Sequence, residues 1–138
     1  MIEIAFLYQW PDQWPERMAW ITALATVIIG LGLMLVPRPF MRWLGLAAGG
    51  ETQNGVSEVR GPFGGVWVGL GVSCLLLAQP FTYFALGMAF LFAVIGRIIS
   101  FVADRTFNIH CVVATIFEAL SAYFPLRFAS EAFGLIGG

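Results

Sequence analysis

Four ionisable residues stand in stretches that are otherwise apolar: Glu58, Arg60, Arg97 and Glu118. A charge near the centre of a membrane helix costs at least about 2.5–3.5 kcal/mol, so such a residue faces the bundle interior and finds a partner. Arginine and a carboxylate can do this through two parallel hydrogen bonds. Arg97 precedes Asp104 by seven residues (104 − 97), which places it about 10 Å deep in a helix ending there. Glu118 lies about 16 Å deep from the same turn. Glu58 and Arg60 enter their helix from that face too, so the four are expected to line one cavity that opens toward it. Two readings stay open. The charges neutralise each other and set the helix register. Alternatively they form the polar end of an apolar pocket, for a lipid-like or quinone-like headgroup, or a proton path. Buried ion pairs are weak evidence for stability, since apolar replacements often serve as well.

Asp104 and His110 are secondary members of this set. His110 is the only histidine, so haem held by two histidines is excluded, and it reads as an interfacial or packed ring. Cys74 and Cys111 lie in apolar runs and read as reduced core residues. No metal-ligand spacing, phosphate loop or nucleophile–base pattern is present. No metal site, no cofactor and no catalytic residue is therefore expected.

The elements that must hold these residues follow from hydropathy. Of 138 residues, 59% are hydrophobic and 11% charged, with seven Arg, no Lys and net charge −1. A soluble domain carries about 25% charged residues, so lipid is the natural solvent. No basic stripe exists for nucleic acid. The fold class is an all-α, integral membrane four-helix bundle, a single domain over 1–138. Helices of about 18–36, 57–77, 81–103 and 107–128 are each of a length that crosses about 30 Å of hydrocarbon.

Tyr8, Trp10, Trp14 and Trp20 precede or open the first span, as an interfacial aromatic N-terminal segment or a partner-docking arm. Pro11 and Pro15 are expected to break any long helix there. The segment lacks the features of a signal peptide. The connector 37–56 reads as a half-turn in the headgroup region, Phe40 to Leu46 with Arg38 and Arg42, then a flexible loop at Gly49, Gly50, Asn54 and Gly55. Gly61, Gly65 and Gly69 recur at i, i+4 and i+8, with Gly64 and Gly71 nearby, and are expected to pack within the bundle or in a dimer. Pro62 makes the second helix start near Gly61 or bend there. Arg38, Arg42, Arg60 and Arg105 lie on one side and Arg17 and Arg127 on the other, so the positive-inside rule puts both termini outside, in the periplasm of a bacterial inner membrane.

The run Glu58-Val59-Arg60-Gly61-Pro62-Phe63-Gly64-Gly65, then Gly96-Arg97 late in the next helix, then Glu118 inside the last, resembles the DUF4345 family. These are small bacterial four-helix membrane proteins of unknown function, distantly similar to DoxX-like proteins. The segment Pro37 to Leu46 fits as well, and the resemblance covers roughly 19–128. It implies that Glu58, Arg60, Arg97 and Glu118 are the family's polar positions, and it brings no substrate and no reaction. The aromatic N-terminal segment and Pro62 depart from the pattern.

Three roles follow as expectations. The first is an accessory or stabilising subunit packed against a larger membrane complex, or a homo-oligomer, through the glycine face and the aromatic arm. The second is a binder or carrier of a lipid- or quinone-like molecule with Arg97 and Glu118 at its polar end. The third is proton-coupled transport as an oligomer, which rests on the depth of Glu118 alone.

Overall fold

A computed structural model describes residues 11–47 and 54–135. Tyr8, Trp10, Gly49 and Gly50, named in the sequence expectations, lie outside the described residues. Among the described residues five helices form: α1 (Trp14–Leu35), α2 (Pro37–Leu44), α3 (Asn54–Leu77), α4 (Pro80–Ala103) and α5 (Ile109–Ala132). All but α2 are long and apolar enough to cross a membrane. They make a ring in which α1 packs on α3 and α5, and α4 packs on the same two.

The bundle is built on small residues, because lipid supplies no hydrophobic force that drives helices together. Its centre holds Ala19, Ala23, Cys74 and Ala122 with the larger Tyr83, Leu86 and Phe90. Many of the bulkiest apolar side chains, among them Ile28, Phe92, Ile99 and Val102, point outward.

Helix boundaries differ from the expected ones for local reasons. Pro15 does not break the first helix. It sits in the opening turn of α1, where its missing N–H costs nothing. The last span begins at Ile109 because Asn108 caps it, its side chain accepting a hydrogen bond of 3.1 Å from the Cys111 N–H. It runs past Pro125, which is buried within it, to Ala132.

The connector is more than a half-turn. Pro37–Leu44 makes two turns of amphipathic helix, and Gly45 ends it in the left-handed region at φ 73°. Met41, Leu33, Val56 and Val59 form a small second core that holds α2 down. The Phe40 ring lies over Gly32, where an added Cβ would come within 2.7 Å of it.

The irregularity expected at Pro62 takes the form of a wider turn, and the second span does not start at Gly61. It begins at Asn54, and Val59–Gly65 widens into a π-helical turn around Pro62. Proline cannot donate to the preceding turn, and the wider turn accommodates its ring. Gly64 and Gly71 are seven residues apart, about two helical turns, and share the face that meets a neighbour. Gly61, Gly65 and Gly69 do not pack within the bundle. Among the described residues, and apart from the neighbouring backbone of the same helix, no heavy atom lies within 4 Å of a Cβ built on Gly61 or Gly69, and the nearest to one on Gly65 is the Arg60 carbonyl oxygen at 3.9 Å. Gly64 and Gly71 take that role, against α1.

Candidate functional site

The end of the bundle that α2 covers holds a half-open cavity of about 820 Å³. Small-molecule sites run to about 300–1,000 Å³. Each helix contributes a wall: Leu33 from α1, Phe40 and Trp43 from α2, Phe63 from α3, Arg97 from α4 and Phe117 from α5. The wide turn in α3 explains how Val59, Phe63 and Trp67, spaced four apart, all reach it.

Its inner boundary is aromatic. Trp67 meets Phe90 edge-on at 5.2 Å between centroids and stacks with Phe117 at 6.3 Å, and Phe90 meets Phe117 edge-on at 6.0 Å. These rings separate the cavity from the small-residue core.

Polar chemistry enters at one place. Arg97 Nε donates to Glu118 Oε2 and Arg97 Nη2 donates to Glu118 Oε1, each at 3.1 Å. This is the two-pronged geometry that suits guanidinium and carboxylate. The Glu118 side chain is 8% exposed and that of Arg97 31% exposed. A second compartment of about 390 Å³ shares the pair and is lined further by Ala93, Gly96, Ser100, Thr106 and Cys111. There the Ser100 and Thr106 hydroxyl oxygens are 2.9 Å apart. The pair thus stands between an apolar chamber and a smaller one with neutral hydroxyl groups.

The four expected charges do not converge. Arg60 is exposed and reaches away from the cavity to the end of α1, where its Nη1 donates to the carbonyls of Met34 and Leu35. It neutralises carbonyls that the helix end leaves without partners. Glu58 is exposed, lines neither chamber, and has no hydrogen bond or ion pair among the described residues. Depth along a helix does not fix the side a residue faces, and Glu58 and Arg60 line neither chamber.

The secondary residues serve as fasteners. Asp104 accepts a 3.1 Å hydrogen bond from Ser100 Oγ at the end of α4. His110 stands edge-on to Trp43 at 5.1 Å and ties α2 to the start of α5. Cys74 is buried in the core, whereas Cys111 lines both chambers.

Sequence reasoning missed Ser100, Thr106, Cys111 and Trp67. Two of them carried a signal. Ser100 follows Arg97 by three residues and Cys111 precedes Glu118 by seven, spacings that share a helix face. The other end of the bundle is aromatic and charged: Trp14 packs on Phe124 at 6.1 Å, and Arg127 lies over Trp14 at 5.4 Å.

A family model described as a domain of unknown function, DUF4345, matches residues 17–126. No curated protein and no solved structure matches the chain.

Proposed function

The chain belongs to the DUF4345 family, and we propose from its geometry that this membrane protein binds a hydrophobic small molecule. The apolar part of the ligand fills the main chamber and its polar end meets Arg97 and Glu118. The observation that carries this reading is the cavity itself: about 820 Å³ of largely apolar space with one buried ion pair on its wall. A pair needed only to fix helix register has no use for such a chamber beside it. The chamber lies at the end bearing Arg38, Arg42, Arg60 and Arg105, so by the positive-inside rule it opens toward the cytoplasmic leaflet.

The test is native mass spectrometry on protein extracted gently from its own membrane. The wild type is expected to carry an added small mass. Ala114→Phe fills the chamber from α5 and leaves the ion pair in place, so it should lose that mass. Arg97→Leu and Glu118→Gln should weaken its retention. A ligand held equally by all three variants would sink the cavity reading.

The open strip at Gly61, Gly65 and Gly69 on the outer side of α3 favours a second reading, an accessory subunit of a larger membrane complex. In that case the chain runs with other polypeptides in fixed ratio, and Gly65→Leu or Gly69→Leu releases them without affecting insertion.

A further inference from the structure

The ion pair is closed on itself, and that restricts what the cavity accepts. Nε and Nη2 of Arg97 are both directed at Glu118, and the two carboxylate oxygens are each engaged. The pair therefore presents no net charge. Neither Nη1 hydrogen of Arg97 is spent on Glu118. The Cys111 thiol, a weak acceptor, is the other side chain within reach of the guanidinium, so a ligand oxygen competes only with that thiol for these donors, and the neutral hydroxyls of Ser100 and Thr106 stand in the adjoining chamber.

An anionic headgroup drawn to Arg97 would meet the Glu118 carboxylate at close range, and a cationic one drawn to Glu118 would meet the guanidinium. Either would also have to leave its water, which costs several kcal/mol per ion in a dry interior. An uncharged oxygen faces neither penalty. It can accept from Nη1 while its chain lies among Phe40, Phe63 and Phe117.

The rim carries the same message. Phe63 and Trp43 line the cavity yet are 53% and 46% exposed. Cavity and lipid-facing surface are thus continuous through aromatic side chains, so an apolar molecule can enter sideways from the bilayer.

We propose that the ligand is an uncharged amphiphile, an apolar chain ending in a hydroxyl or carbonyl group, and that the closed Arg97–Glu118 pair excludes charged lipids of the same chain length. This rests on the cavity reading above.

The full chain in phosphatidylcholine nanodiscs is exposed to one of two photoreactive probes carrying the same diazirine-bearing acyl chain. One is a monoacylglycerol. The other is the free fatty acid, at alkaline pH where its carboxyl is ionised. Labelled residues are mapped by peptide mass spectrometry. The monoacylglycerol should label cavity residues such as Met41 and Phe117 about tenfold more than the fatty acid does, equivalent to about 1.4 kcal/mol of preference. Glu118→Gln uncovers the positive charge of Arg97, and should raise cavity labelling by the fatty acid. Equal or greater labelling of the wild-type cavity by the fatty acid overturns the charge argument and leaves the cavity reading standing. Labelling by both probes only at lipid-facing residues such as Phe92 and Ile99 overturns the cavity reading, and this inference with it. If Glu118→Gln does not fold, the wild-type comparison decides alone.

Discussion

Gly30 on α1 and Gly64 on α3 face each other so closely that a Cβ on either would lie 3.0 Å from the carbonyl oxygen of the other. Two helices that meet backbone to backbone gain dispersion contacts that lipid cannot match. The same crossing continues at Gly71, where an added Cβ would lie 2.8 Å from the Ala23 carbonyl oxygen. This contact sets the distance between α1 and α3, and hence the position of the cavity wall that α3 provides.

Gly64→Ala and Gly71→Ala should each lower stability by about 1–3 kcal/mol, the usual cost of overpacking. Gly61→Ala and Gly69→Ala meet open space, and should leave stability unchanged or raise it by up to about 1 kcal/mol through helix propensity. Thermal unfolding in detergent, followed by helical signal, ranks the four variants. A Gly61 variant as damaging as the Gly64 variant would refute the crossing.

Removing one partner of the ion pair should cost more when the partner left behind is the drier one. Arg97→Met strands Glu118, whose side chain is 8% exposed, whereas Glu118→Leu strands Arg97, which is 31% exposed and whose long side chain can reposition its charge. The first should be more destabilising, and both should fall below the about 3–5 kcal/mol of a fully buried pair. The double variant should recover most of the loss, because two apolar groups leave no charge stranded. The same unfolding measurement on all three variants gives the coupling.

Arg60→Met should loosen the junction between α1 and α2 by about 0.3–1 kcal/mol, the usual worth of a cation at a helix C-terminus. Hydrogen exchange should quicken at Leu35, Val36 and the first turn of α2 and nowhere deep in the bundle. Glu58→Gln, on a residue with no hydrogen bond or ion pair among those described, should exchange like the wild type.

Asn108→Ala removes the cap at the start of α5 and should cost about 1 kcal/mol. Because Cys111 is the residue whose N–H is released, the effect should also appear as faster alkylation of the Cys111 thiol by a membrane-permeant maleimide. An unchanged rate would mean that α5 does not begin at Ile109.

Hydropathy alone determined that this is an all-α membrane chain with four spans, because a chain with 11% charged residues and apolar runs of bilayer length has few other ways to satisfy its backbone. The cost of buried charge likewise marked Arg97 and Glu118, and helix rise set their depth near one another. Only the tertiary structure decided the direction in which each charge points. Rise along a helix is a property of one segment, but azimuth depends on phase, and the π turn at Val59–Gly65 changed the phase of everything before it. Arg60 caps α1 instead of joining Arg97, and Gly64 rather than Gly61 meets Gly30. The cavity, too, became visible only once α2 had folded back across the bundle end, since Leu33, Phe63, Arg97 and Phe117 lie far apart in sequence and surround space only when four long helices and the short α2 stand around it.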